Sequence, residues 1–374
     1  MTGAQRGAPG GPPRVAFHAP MKPPDHPNPS GDRRIARLTL QALEGAGFAP
    51  FVASSLRTLE MAGDPAAQAA LAREAVAEAA RLIETLRPAP PALWFTYHSY
   101  WKAPDLIGPA VCAALGLPYV ISEPIHAPKR RTGPWAGFAE AAERSLAAAD
   151  LLLWSTARDL PGLRRLEGAR LEELAPFIDL GPPAVPRPPA AGPLRLLAVA
   201  MMRPGDKLAS YAALAAALSR PEAPEVRLEV IGDGAERAAV EALLAPLGDR
   251  VRFLGVEPDP LRLRKAMEAA DLLVWPGVNE GFGMVYLEAL AAGLPALAED
   301  RPGPRHVLPP PPAGPALPPP EDPAAFAARL AALDADRARL AALRGTARAH
   351  AEAHHGLAAA SARLRELLSP LARR

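Results

Sequence analysis

The stretch Val274-Trp-Pro-Gly-Val-Asn-Glu280-Gly-Phe-Gly-Met-Val-Tyr-Leu-Glu288-Ala-Leu-Ala-Ala-Gly-Leu-Pro295 decides the fold. An apolar run over 271–275 is broken by Pro276-Gly277, which predicts a buried strand ending in a turn. A Glu-Gly-Phe-Gly loop follows, then an Ala/Leu segment of helical character, closed by Gly293 and restarted as a strand after Pro295. This order places Glu280 at the carboxyl end of a strand and Gly281, Phe282 and Gly283 at a helix start. Backbone N–H groups exposed there favour an anion, and glycine lets it approach closely. Glu288 shares a helix face with Met284, four residues earlier. Two carboxylates beside an anion site make sense if they accept hydrogen bonds from hydroxyls, as on ribose and a sugar ring. Taken alone, the same residues also describe an ordinary strand-loop-helix with two solvated glutamates.

The alternation extends on both sides. Upstream, 194–200 reads as a strand and is followed by Met201-Met-Arg203-Pro-Gly-Asp-Lys207. Arg and Lys four apart, after a strand and before a helix, can grip a diphosphate from two sides through charge-assisted bonds. Strands are expected at 226–231, ending in Gly232-Asp-Gly234, at 250–255 around Arg252, and at 296–299. Arg301-Pro-Gly-Pro-Arg305-His is expected as a stiff loop. Asp334-Ala-Asp336 has the form of a metal motif but sits inside a helical run, and His354-His355 lie in helical surroundings without acidic or cysteine partners nearby.

In the first half, strands are expected at 14–18, 48–54, 92–98, 119–122 and 150–155, with helices over 32–43, 64–86 and 106–115. Two histidines, His98 and His126, stand at the ends of neighbouring strands. Ligand sites of open α/β sheets lie at those carboxyl ends. Arg33, Arg34, Lys102, Lys129, Arg130 and Arg131 could place positive charge on this side, facing an acidic or lipid-linked partner or an anionic membrane surface. They equally suit a solvated basic loop.

Strands alternating with helices in two sets predict two doubly wound, Rossmann-like α/β domains. The expected division is a disordered 1–13, a first domain 14–180, a Pro/Gly-rich linker 181–193, a second domain 194–356, and a C-terminal helix 357–374 packing back on the first domain. At 374 residues the chain suits two domains of ordinary size, and a net charge of +2 gives no strong pull toward nucleic acid. The single cysteine, Cys112, excludes an internal disulfide and a cysteine-cluster metal site. No apolar run reaches the roughly 18 residues of a spanning helix. A cytoplasmic protein, with peripheral contact to the inner membrane face, is the expectation.

Glu280 to Glu288 resembles the E-x7-E motif of retaining glycosyltransferases of the GT-B fold, and Glu-Gly-Phe-Gly is the form typical of glycosyltransferase family 4. The spacing of Arg203 and Lys207 is similar to that family's Arg-x3-Lys donor motif. The Gly31 loop resembles its glycine loop after the first strand, with one glycine where many members have two. The resemblance implies a nucleotide-sugar co-substrate, UDP- or GDP-linked, a hydroxyl acceptor on a glycan or lipid, no cofactor and no metal, with a cleft between the domains. It further implies that Arg203, Lys207 and the Gly281–Gly283 backbone hold the diphosphate and that Glu288 holds the ribose. Glu280 would then hold the donor sugar, main chain near Arg252 would read the base, and His126 or His98 would lie near the reacting carbon. A sugar-nucleotide hydrolase or epimerase of the same fold, or a non-catalytic scaffold, are the other readings.

Overall fold

The inner strands are short apolar runs with both faces covered, as parallel sheets require, whereas the outer strands Ala49–Ser54, Leu171–Glu173 and Val251–Gly255 are partly exposed. The computed structural model describes residues 11–28, 30–183 and 191–372. Residues 1–10 of the expected N-terminal segment, residue 29 of the glycine loop and 184–190 of the expected linker lie outside the described residues. Two units result. One runs to Ala175 and takes in the chain again from Leu357, and the other is Pro176–Gly356.

The first unit contains β1 (Arg14–His18), α1 (Gly31–Gly45), β2 (Ala49–Ser54), α2 (Pro65–Leu86), β3 (Leu93–Tyr97), α3 (Gly108–Leu115) and β4 (Tyr119–Ser122). It continues through α4 (Ala136–Ala148), β5 (Leu151–Trp154), the single turn α5 (Leu160–Leu163) and β6 (Leu171–Glu173). Its sheet is parallel with order β2-β1-β3-β4-β5-β6. Helix α1 begins because Ser30 caps it, accepting the Arg33 N–H at 3.2 Å.

The second unit contains β7 (Leu194–Val199), α6 (Asp206–Leu218), β8 (Val226–Ile231), α7 (Arg237–Leu244), β9 (Val251–Gly255), α8 (Pro260–Ala269) and β10 (Leu272–Val274). Then come α9 (Met284–Ala291), β11 (Ala296–Leu297), α10 (Pro302–Val307), α11 (Pro323–Ala335) and α12 (Arg337–His354). The sheet is again parallel, ordered β11-β10-β7-β8-β9. The final helix, α13 (Leu357–Ala372), belongs to the first unit. There Arg365 donates to the carbonyls of Gly45 and Ala46 at 2.6 and 3.1 Å, and Arg363 pairs with Glu172 at 2.8 Å.

One expected loop is a helix. Residues 302–307 form α10, because proline suits a first helical turn, where no N–H is needed. Among the described residues no helix is long and apolar enough to cross a membrane.

Strand order carries the functional consequence. In each sheet the order reverses at one point, between β1 and β3 in the first unit and between β7 and β10 in the second. At such a switch point the loops leaving the two strands diverge, and a crevice opens at their carboxyl ends.

The end of α12 carries a pH-sensitive packing arrangement. His355 is buried, and its Nδ1–H donates to the Pro176 carbonyl at 2.7 Å. The His350 and His354 rings lie 5.3 and 6.3 Å away. Burial, reinforced by the neighbouring His350, His354 and His306 and opposed by the Pro176 bond, pushes its pKa down to about 4. The unfolded chain, with a histidine pKa of about 6.5, therefore takes up this proton first. Stability rises with pH across that interval and is lost on acidification, by about 3 kcal/mol between pH 6.5 and 4. Denaturant unfolding of the second unit at pH 7 and pH 4.5 should show the loss. His355→Gln, which cannot be protonated, should flatten the dependence, and an unchanged slope in that variant would assign it elsewhere.

Candidate functional site

In the second unit, the two loops at the switch point are those singled out by the sequence. The loop after β7 turns through Gly205, at φ 81°, into the first turn of α6. The loop after β10 turns through Gly283, at φ 74°, into α9, which has no side-chain cap. A Cβ on Gly283 would stand 2.6 Å from the Tyr286 ring, so only glycine fits there. The first N–H groups of α9 therefore find no acceptor in a capping side chain.

Helix α6 stitches the second loop in place. Ser210 Oγ accepts the Val278 N–H at 3.0 Å, and Asp206 Oδ2 accepts Asn279 Nδ2–H at 2.8 Å. The Lys207 ammonium donates to Glu280 Oε1, an ion pair whose side chains are 17% and 13% exposed. The Trp275 indole N–H donates to the same oxygen at 3.1 Å. From below, α10 supports the loop: a Cβ on Gly303 would lie 2.3 Å from the Glu280 carbonyl oxygen, so the helix backbone touches the loop directly. Arg203 is exposed and makes no ion pair among the described residues. Phe282 packs on the core from the loop, and Glu288 is half-buried on α9. The two loops and α9 thus offer two basic side chains, uncapped helix amides and two carboxylates beyond the carboxyl ends of β7 and β10. Together they can hold a diphosphate and accept hydroxyl hydrogen bonds.

In the first unit the switch point holds a second cluster. His98 follows β3 at φ 57°, and Glu123 follows β4 at φ 51°. Both are non-glycine residues in the left-handed region, a cost that concentrates at functional sites. His98 Nδ1 lies 3.3 Å from Asp32 Oδ1, in the first turn of α1 beside Gly31, and 3.9 Å from Glu123 Oε2. The Tyr97 hydroxyl donates to Glu123 at 3.4 Å, and Tyr100 packs against the imidazole at 5.2 Å. Burial alone would lower the His98 pKa, but the carboxylates of Asp32, Glu123 and Asp159 outweigh it and hold it above its ordinary value. Burial, with the charges of Asp32 and Asp159, raises Glu123 against the pull of His98 and Tyr97. Burial works against the Asp32 charge, but His98 at 3.3 Å, its own backbone N–H and Lys22 together outweigh it and hold Asp32 below the usual carboxylate range.

His126 has a different position. Its Nδ1 bonds the Gly162 carbonyl at 2.7 Å and its Nε2 bonds Glu143 at 2.5 Å, so both ring nitrogens are engaged. Most of the expected basic patch is likewise committed. Arg33 donates to the carbonyls of His26 and Pro27 at 2.7 and 2.9 Å, Arg131 pairs with Glu143 at 2.6 Å, and Lys102 and Arg130 cover the Trp101 ring. Arg252 lies within β9, two strands from β7, and its exposed side chain pairs with Glu229. Asp334 pairs with Arg337, and Asp336 caps α12 by accepting the Arg339 N–H at 2.8 Å.

Sequence reasoning passed over Asp32, Glu123, Trp275, Asp206 and Ser210. Glu123 carried a readable signal, since it directly follows a strand. Trp275 read only as the end of an apolar run.

Residues 193–336 match the family model described as Glycosyl transferases group 1. The D-inositol 3-phosphate glycosyltransferase of Xylanimonas cellulosilytica is 35% identical over 226 residues, covering 55% of this chain and 54% of that one. The protein of the same name from Thermobispora bispora is 40% identical over 164 residues, 41% of this chain and 38% of that one. The chain thus matches about half or less of these relatives' length. Among solved structures, Anabaena Alr3699/HepE in complex with UDP aligns over 96% of this chain and 100% of its own, with TM-score 0.69 and 15% identity. Sucrose-phosphate synthase (tll1590) from Thermosynechococcus elongatus aligns over 96% and 99%, with TM-score 0.66 and 20% identity. These likenesses show the fold, which is GT-B.

Proposed function

We propose, from a second unit that carries the Glycosyl transferases group 1 match, that this protein moves a sugar from a nucleotide-sugar donor to an acceptor hydroxyl, with retention at the sugar carbon. The observation that carries the reading is the meeting of Lys207, Glu280 and the glycine start of α9 at the switch point of the second sheet. Arg203, Lys207 and the α9 amides would stabilise the charge that grows on the leaving diphosphate. Glu288 would accept the ribose hydroxyls and Glu280 those of the donor sugar. His98, with Gly31 and Asp32 beside it, would serve the acceptor. His126, with both nitrogens engaged, would support the loop that carries it.

Support for the donor class comes from the solved neighbours, Anabaena Alr3699/HepE in complex with UDP and with UDP and glucose. A short match to a GDP-mannose-dependent alpha-mannosyltransferase of Mycobacterium tuberculosis keeps GDP-sugars in the class. The acceptor would be a glycan or lipid hydroxyl, met at the cytoplasmic membrane face, and the reaction would need no metal.

Calorimetric titration with UDP, GDP, ADP and their common sugar conjugates tests the reading. Micromolar binding of one base is expected, weakened more by Glu288→Ala than by Glu280→Ala. Absence of binding by every nucleotide would overturn it and favour a non-catalytic scaffold.

A further inference from the structure

We propose that Trp275 is a positioning residue that fixes Glu280 for the donor sugar and so lets the site distinguish a sugar nucleotide from the bare nucleoside diphosphate. The inference rests on the donor-site reading of the second unit and deepens it.

Glu280 Oε1 receives two donors, the Lys207 ammonium and the Trp275 indole N–H, whereas Oε2 has no partner among the described residues. The two donors differ in how firmly they are held. Lys207 is a point charge on a flexible stem, and a diphosphate carries more negative charge than one carboxylate. A donor entering this site therefore competes for the ammonium.

Trp275 cannot be drawn away. Its side chain is fully buried, and Tyr211 packs edge-on against it at 5.0 Å with planes at 77°. Its backbone N–H donates to the Leu297 carbonyl at 3.0 Å, and its carbonyl accepts the Tyr286 hydroxyl at 2.9 Å. Tyr211 and Tyr286 are themselves fully buried, and Tyr211 is anchored by a 2.9 Å bond to the Ala200 carbonyl. The indole N–H is a donor only, so it demands an acceptor oxygen and holds Glu280 in that role. When Lys207 turns to the diphosphate, this one bond keeps the carboxylate aimed, with Oε2 presented to a sugar hydroxyl.

Trp275→Phe keeps an aromatic ring against Tyr211 and beneath the Lys207 ammonium, and removes the N–H donor together with part of the buried ring volume. Calorimetry on the full chain should give a wild-type preference for the sugar conjugate over the matching nucleoside diphosphate. In the variant that preference should fall about tenfold, the scale of one hydrogen bond to a charged group, while diphosphate affinity holds. A preserved preference would overturn the inference and leave the donor site standing. Equal loss of both affinities would also overturn it, since a merely structural role predicts that. Wild-type protein that binds no nucleoside diphosphate would overturn the donor-site reading itself. A second measurement does not depend on the variant's folding. Among the indole N–H resonances of the five tryptophans, that of Trp275 should move on Glu280→Gln. An unmoved indole spectrum would overturn the hydrogen bond on which the inference stands.

Discussion

Lys207→Ala is expected to lower turnover by about 100- to 1,000-fold, the scale on which enzymes lose rate when one preorganised charge-stabilising donor is removed. The ammonium comes from the first turn of α6 and is held at the switch point by its ion pair with Glu280. Its removal acts twice. On the proposed reaction the leaving diphosphate would lose a positive charge, and Glu280, only 13% exposed, would keep a single donor in Trp275. Lys207→Arg would restore charge but with a planar fork in place of a point ammonium, so a partial recovery is expected. Steady-state transfer assays on the three proteins, with circular dichroism to confirm folding, check this. Near-normal turnover in Lys207→Ala would remove the ammonium from the chemistry.

A second large effect is expected in stability. Asp105→Ala should destabilise the first unit by about 3–5 kcal/mol, the cost of breaking a buried charged network by removing one partner. Asp105 is 1% exposed. It accepts the N–H groups of Ile107 and Gly108 at 2.9 and 2.8 Å, and the hydroxyls of Thr96 and Tyr119 at 2.5 and 2.7 Å. Thr96 in turn accepts the Trp94 indole N–H at 2.9 Å, so β3, β4 and the start of α3 all meet at this carboxylate. Truncation leaves four donors without an acceptor in the core. Burial works against the charge, but His18 and those donors outweigh it and hold Asp105 below the usual carboxylate range. Its contribution is thus present above the unfolded aspartate value and lost as pH falls through the folded one. Denaturant unfolding of the first unit measures the effect, and a loss under about 1 kcal/mol would show that water replaces the side chain.

The two sites differ in how legible they were. The loop from Glu280 to Gly283 and the helix carrying Glu288 were readable because turn chemistry and helical period act over a few residues. The same holds for the Arg203–Lys207 spacing and for most strands, whose apolar runs need no distant information. The structure extends this by joining Lys207 to Glu280 across 73 residues on one carboxylate oxygen, and by adding Trp275 to it.

The first unit was less legible, and for a physical reason. His98 and His126 both follow strands, and nothing local separates them. The difference lies in partners supplied from elsewhere: α4 brings Glu143 to His126, while α1 brings Asp32 to His98. Arg33 and Arg131 show the same limit, since a charge is readable in sequence but its destination is not.

The alternation of strand and helix, the grouping into two α/β sets and the chemistry offered at each strand end were thus determined by sequence alone, because local sterics and burial periodicity write them directly. Tertiary structure alone decided which strands became neighbours, where each sheet's order reverses, and so which loops meet. Strand order follows from the burial of whole faces against distant helices, a sum over many residues that no single segment carries.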